Sequence, residues 1–286
     1  MARTTKPAQS VYDFDIHQEP LLTTDGKRTG YFGMVRRDTP EPMTLGVCTE
    51  QYGVVKNADL VSMVDDSLAG INSSLSNYNS KKFVVRDGSR FYARYDFPDF
   101  KTELKPVGKR AKGDILGLRL TVNNSYDRSC RVSLTLGFLR LICTNGMTSL
   151  TKEFSMTKRH TLAVNLDFIG DALAKAIGSV DSSVAIFNRL AQKAITNEQG
   201  LNLLTKLEEK DVISGKVREG IEAVWRNPSF EEDTDRNLYN LYNASTQFLT
   251  RNVADERYEY SERVSRDLLK VFSGKTRDEE LLKLVA

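Results

Sequence analysis

Arg119-Leu120-Thr121-Val122-Asn123-Asn124-Ser125-Tyr126-Asp127-Arg128-Ser129-Cys130-Arg131-Val132-Ser133-Leu134-Thr135-Leu136-Gly137-Phe138-Leu139-Arg140 decides the fold class. Val132, Leu134, Leu136 and Phe138 alternate with Ser133, Thr135 and Gly137, so one face is apolar at a period of two, as in a half-buried strand. The polar run from Asn123 to Arg128 is a turn, and Ile115 to Val122 before it is a second strand. Two long strands, over 115–122 and 130–142, are therefore expected to form the centre of an antiparallel sheet.

Upstream, Lys82 to Tyr95 adds strand material. Phe83-Val84-Val85 meets a turn at Asp87-Gly88, then Arg90, Tyr92 and Arg94 share one face while Phe91, Ala93 and Tyr95 share the other. Phe97 to Asp114 contains Lys101, Lys105, Lys109, Arg110 and Lys112 with two prolines and two glycines, and reads as an exposed basic loop. Nearer the N-terminus, Gly26, Gly30 and Gly33 punctuate a short hairpin. Thr39-Pro40-Glu41-Pro42 breaks regular structure, and Leu45 to Cys48 reads as a strand. Leu60, Val61, Val64, Leu68 and Ile71 recur at helical spacing behind Asn57, which predicts a helix over 58–75.

Downstream of Arg159-His160 the period changes to 3.6. Ile169, Leu173, Ile177, Val180, Val184, Phe187, Ala191 and Ala194 form one seam, with a break near Gly178-Ser179. Further helices are expected over 198–210, 214–226, 234–251, 261–272 and 277–284. The expected architecture is α+β: an N-terminal antiparallel β-sheet with one or two helices packed on it, followed by a helical C-terminal half. The expected domains are a basic β-rich domain over residues 1–160 and a helical region over 161–286.

The chain has 286 residues, 40% of them hydrophobic and 28% charged, enough to bury a sizeable core. No apolar run approaches a membrane span, and the N-terminal stretch from Met1 to Lys6 lacks a secretory h-region, which points to the cytosol. Cys48, Cys130 and Cys143 form no CxxC and read as reduced thiols. No cofactor motif is present: there is no GxxxxGK[ST], no GxGxxG after a strand, no GxSxG and no HExxH. His160 follows two cations and is the kind of lone histidine that more often packs than catalyses. A metal-dependent nuclease needs converging carboxylates. Asp87, Asp96, Asp99, Asp114 and Asp127 lie in the right half, although Asp87 and Asp127 fall in turns. That nuclease stays open as the enzymatic alternative to a chain without catalysis.

The net charge of +3 hides an asymmetry. Residues 81–159 carry 17 Lys/Arg against 7 Asp/Glu, while the remainder carries 24 against 31. Clustered positive charge attracts a polyanion. The same stretch holds Phe83, Phe91, Tyr92, Tyr95, Phe97, Phe100 and Tyr126, and single-strand binders combine cations with aromatic platforms on which bases stack. The expected contact residues are Arg90, Tyr92, Arg94, Lys101, Lys105, Lys109, Arg110, Lys112, Arg119, Arg128, Arg140, Lys158 and Arg159.

Several segments resemble proteins of domain of unknown function family 932, which are phage- and plasmid-encoded. They are Val47-Cys48-Thr49-Glu50-Gln51-Tyr52-Gly53-Val54-Val55-Lys56-Asn57; Asn123-Asn124-Ser125-Tyr126-Asp127, where Tyr126 and Arg128 depart from the family's usual Asn-Ser-His-Asp-Gly; Arg140-Leu141-Ile142-Cys143-Thr144-Asn145-Gly146-Met147; Arg159-His160-Thr161; and Leu238-Tyr239-Asn240-Leu241-Tyr242-Asn243-Ala244. The resemblance implies a phage or mobile-element protein in a bacterial host and no established activity. A fold-level analogy to strand-annealing proteins accompanies it. Asn145-Gly146 suits a tight turn. Arg140 either reaches a phosphate or anchors that turn by bonding carbonyls or Asp127. Asn240 and Asn243 suit internal hydrogen bonds.

The expected function is single-stranded DNA binding, with annealing as an extension of it, in phage replication or recombination. It needs no cofactor and is expected in a homo-oligomer, alongside a phage or host replication or recombination protein. The alternative is a phage protein-interaction module that contacts its partner through acidic helices such as those at Glu231-Glu232-Asp233 and Asp278-Glu279-Glu280.

Overall fold

The computed structural model describes residues 11–70, 75, 77–106, 113–140, 145–148, 155–161, 168–178, 180–253 and 257–286. Alternation does produce strands. The N-terminal hairpin is β1 (Ile16–Leu22) and β2 (Arg28–Arg36), and β3 (Met43–Thr49) completes an antiparallel sheet in the order β1-β2-β3. Helix α1 (Asn57–Gly70) follows and turns Leu60, Val61, Val64 and Leu68 inward. A second sheet has the order β4 (Asn79–Val85), β5 (Arg90–Glu103), β6 (Ile115–Ser125), β7 (Val132–Arg140), β8 (Asn145–Thr148). Strand β9 (Ser155–Lys158) also pairs with β7, along its first half. The rest is helical: α2 (Phe168–Gly178), α3 (Val180–Gln192), α4 (Asn197–Glu209), α5 (Gly215–Arg226), α6 (Leu238–Arg251), α7 (Tyr258–Phe272) and α8 (Glu279–Val285). The fold is α+β.

Two expectations about single segments change. Phe97 to Glu103 is strand, not loop, because β5 runs on through Pro98. β5 has 14 residues and its neighbour β4 only 7, so part of β5 lacks that neighbour, and a proline without a donor is tolerated at such an edge. Asn145-Gly146 is not a turn but the start of β8, with Arg140 opposite Asn145 and Leu139 opposite Gly146. β8 and β9, four residues each, are too short to show a period. Lys109, Arg110, Lys112, Cys143 and the N-terminal residues 1–10 lie outside the described residues.

The chain forms two compact units from interleaved segments, rather than dividing once near residue 160. The first holds 1–95, 120–135 and 155–174; the second holds 96–119, 136–154 and 175–286. In the first, Phe14, Ile16, Met34, Cys48, Tyr52 and Tyr126 form a core. Its closest approach is at Gly46, where an added Cβ would lie 2.6 Å from the Asp127 Cα. In the second, aromatic rings meet in sequence. Phe138 meets Phe187 at 5.5 Å, Phe187 stacks on Tyr242 at 6.2 Å, and Tyr242 meets Phe272 edge-on at 6.2 Å. Thr196 and Gln199 cap α4 reciprocally, and Asn237 caps α6.

Helices α5 and α6 pack through Gly220, where an added Cβ would overlap the Phe248 ring. Gly220→Ala is therefore expected to destabilise the protein by about 1–3 kcal/mol despite alanine's better helix propensity. Gly178→Ala, with nothing within 4 Å, serves as the control and should be neutral or stabilising in urea unfolding.

Candidate nucleic-acid interface

The strands place the expected cations in three situations. Some are held by carboxylates. Arg90 is buried, with its Nε 3.1 Å from Asp127. Arg119 donates to both oxygens of Asp96 at 2.5 and 2.8 Å. Burial alone would raise the pKa of Asp127, but hydrogen bonds from Ser129 and Arg90 outweigh it and hold that pKa below its ordinary value. Tyr92 is buried, so its ring is closed to a base. A second group lies at the β4 edge, where Arg94 and Lys81 sit 5.3 and 5.4 Å from the Phe83 ring centroid. A third group lies at the β7–β9 edge. Val132 pairs with Lys158 and Ser133 with Thr157, so Lys158-Arg159 runs beside Arg131. Arg128 stands just before, in the turn, at φ +63°. Arg128, Arg131, Lys158 and Arg159 are all exposed. Lys101 and Lys105, on and after β5 in the second unit, are exposed as well. The single track expected from Arg90 to Arg159 is thus interrupted. Its middle is paired with carboxylates, and its remaining cations lie at opposite edges of the sheet.

Arg140 has a different environment. Its side chain is 0% exposed. Nε donates to Asp114 at 2.7 Å, and Nη1 donates to the two oxygens of Asp233 at 2.7 and 2.9 Å. Asp114 lies just before β6, and Asp233 lies in the short turn before α6. Arg140 is thus bound as an anchor, with Asp114 and Asp233 as its carboxylate partners. Burial opposes its charge, yet Tyr239, Asp233 and Asp114 prevail and raise its pKa. Two carboxylates on one guanidinium leave a net negative charge in a dry site. Burial, reinforced by Asp114, accordingly lifts the Asp233 pKa against the pull of Arg140. Tyr239, fully enclosed beside them, is held neutral by burial. Asn240 donates to the carbonyls of Glu232 and Asp235 at 3.1 and 2.8 Å, the internal role expected of it.

In the first unit, Asn124 donates to Val55 O and to Asn57 Oδ1, both at 2.8 Å. The Asn57 backbone N–H donates to the Tyr126 hydroxyl at 3.1 Å, and the Tyr52 hydroxyl donates to Ser125 O at 2.7 Å. His160 stacks on Tyr52 at 4.8 Å, with Nδ1 3.3 Å from Gly53 O. Burial, only partly offset by that bond, pushes the His160 pKa below its ordinary 6.5.

Among the described residues no group of three or more His, Cys, Asp or Glu side chains could hold a metal ion. Asp96, Asp114 and Asp127 are each bonded to an arginine. No helix of the described residues is long and apolar enough to cross a membrane.

A family model described as domain of unknown function (DUF932) matches residues 44–280. The chain belongs to this family. The comparisons with curated proteins and with solved structures find no match.

Seen as a DUF932 chain, its motif residues gather into two buried clusters. Tyr52, Asn57, Asn124, Tyr126 and His160 meet in the first unit, and Arg140, Tyr239, Asn240 and Asn243 lie around Asp114 and Asp233 in the second. These clusters fix the backbone. Tyr126, at the family's histidine position, supplies a hydroxyl that accepts the Asn57 N–H. Sequence reasoning missed Arg131 and Lys81, and it set Asp233 in an acidic helix facing a partner, whereas Asp233 is buried against Arg140. Arg131 lay inside the counted charge excess, but its neighbours depended on β9, which had not been read as a strand.

Arg140→Met leaves Asp114 and Asp233 buried without their cation and should cost about 3–5 kcal/mol. Asp233→Asn leaves an Arg140–Asp114 pair and should cost less. Because the folded Asp233 pKa is raised, its contribution is present at acid pH and is lost as pH rises through that pKa. Without Arg140 that loss deepens, so the deficit of Arg140→Met in urea unfolding should be larger at pH 8 than at pH 5. Equal stability of variant and wild type would remove the anchor role.

For His160 the sign is opposite. Its depressed folded pKa contributes stability that is present above 6.5 and is lost as pH falls towards the folded value. His160→Phe keeps a ring on Tyr52 and cannot titrate. Between pH 7 and 5 the wild type should lose up to about 1.4 kcal/mol per pH unit more than the variant.

Proposed function

We propose that this DUF932 chain binds single-stranded nucleic acid, DNA in the replication or recombination of a phage or mobile element in the bacterial cytoplasm, without catalysis. We take the working form to be a homo-oligomer, with strand annealing as an extension of the binding. One observation carries the reading: the β7–β9 register sets Lys158-Arg159 beside Arg131, with Arg128 adjacent, all exposed and drawn from separate segments. Four exposed cations drawn together from separate segments suit a phosphate backbone. The reading no longer rests on Arg90, Arg119, Arg140 or Tyr92, which are already engaged or enclosed.

The test is fluorescence anisotropy of a labelled oligonucleotide over a salt series. Arg131→Glu/Lys158→Glu/Arg159→Glu should weaken binding at least about tenfold and reduce the salt slope by about 2, at roughly 0.7 per lost phosphate contact on a single strand. Lys216→Glu, an exposed α5 control, should change neither. Unmeasurable affinity at low salt would end the reading. The protein-interaction module would then stand in its place, favoured by a separate observation. Leu22, Tyr31, Met43 and Val47 are exposed on the three-stranded sheet, Tyr31 at 53%.

A further inference from the structure

A second basic site lies in the helical unit and does not depend on the strand reading. Arg263, Asp267 and Lys270 follow one another at spacings of four and three on α7, so they share one stripe, while Val264, Leu268 and Val271 form the buried stripe beside it. At the end of α7, Gly274 takes φ +72° and Lys275 N donates to Lys270 O at 2.8 Å. The chain thus closes the helix there and continues as Lys275-Thr276-Arg277. With Asp211 after α4, these residues enclose an open cleft of about 500 Å³. That volume is within the range of sites for single small molecules, roughly 300–1,000 Å³.

The cleft's charge is unbalanced. Four cations, Arg263, Lys270, Lys275 and Arg277, face two carboxylates, Asp211 and Asp267. Asp267 is committed to Lys270 at 2.7 Å. Arg263, Lys275 and Arg277 have no ion-pair partner among the described residues. The nearby acids Asp278 and Glu280 are taken by Lys210, at 3.4 and 2.8 Å. A helix C-terminus attracts cations, which accounts for Lys270 and Lys275. It does not account for Arg263, about two and a half turns before Phe272. Cations on two walls of one cleft suit an anion with several charges along its length, and arginine forks match phosphate oxygens. We propose that this cleft binds the polyphosphate group of a small phosphorylated ligand of the nucleoside-triphosphate class.

The probes are inorganic tripolyphosphate and a nucleoside triphosphate, titrated calorimetrically into the full chain. Both should bind, and tighter binding of the nucleotide would add a base contact to the same site. Lys275→Glu/Arg277→Glu should weaken both by at least about tenfold. Lys275→Gln/Arg277→Gln, the milder change, should weaken both in the same direction if reversal perturbs folding. Asp267→Asn releases Lys270 and should tighten both by about threefold. Oligonucleotide affinity should be unaffected by these changes, which separates this site from the β7–β9 edge. No heat with either probe at low salt, unchanged affinity in both double variants, or a parallel loss of oligonucleotide binding would each overturn the proposal.

Discussion

A guanidinium with no solvent must be answered by charge and hydrogen bonds together, and Arg140 meets that requirement with two carboxylates. Its partners come from distant points in the chain: Asp114 opens β6 and Asp233 sits in the turn before α6. One side chain therefore fixes the end of β7 against the start of its neighbour and against a helix entry. The consequence reaches along α6, where eleven of fourteen residues are buried, several of them polar. In a helix enclosed on almost every side, several polar groups find a local partner. Ser245 donates to Leu241 O, Thr246 to Asn243 O, and Gln247 to the Ser229 hydroxyl.

The first unit solves a similar problem without charge. Asn124 donates a side-chain hydrogen bond to Asn57 Oδ1, and Tyr126 and Tyr52 use their hydroxyls on backbone groups of the opposing segment. Burial raises the pKa of both tyrosines, so these hydroxyls stay neutral across the physiological range. Gly46 lets β3 approach the Asp127 backbone more closely than any side chain would allow. The polar turn between β6 and β7 is thereby held from two directions, by the Asn57 segment and by β3.

Much of this was legible in the sequence where a period exists. The stripes over 197–209, 215–226 and 258–272 are long enough for the 3.6 repeat to be read within a few residues of their ends. The two long strands showed their alternation. Pro98 hid half of β5, because a proline reads as a breaker unless the missing neighbour is known. β8 and β9 are defined by pairing with β7 rather than by composition. The ion pairs were the least legible: alternation puts a residue on a face but does not say what crosses from another element. Arg140 and Asp233 are separated by 93 positions, and Asn57 and Asn124 by 67. The motif residues were visible as motifs; that they close on each other was not.

The same limit explains how a charge excess can stand while several of the arginines within it are already paired in the fold. Pairing a lysine or arginine with a carboxylate of the same stretch removes one charge of each sign and leaves the excess untouched. Arg90 with Asp127 and Arg119 with Asp96 are pairs of this kind, and Arg140 takes Asp114 in the same way. Asp233 on Arg140 and Asp65 on Lys82 bring acid from outside residues 81–159. Part of the excess resides on exposed cations. Among these are cations whose positions depend on turns and short strands, such as Arg128 at positive φ and Arg131 opposite the end of β9. Strand interiors select arginines that can be neutralised, since an unpaired charge there is too costly to keep. Strand ends carry no such constraint, so a cation can stay exposed there without that cost.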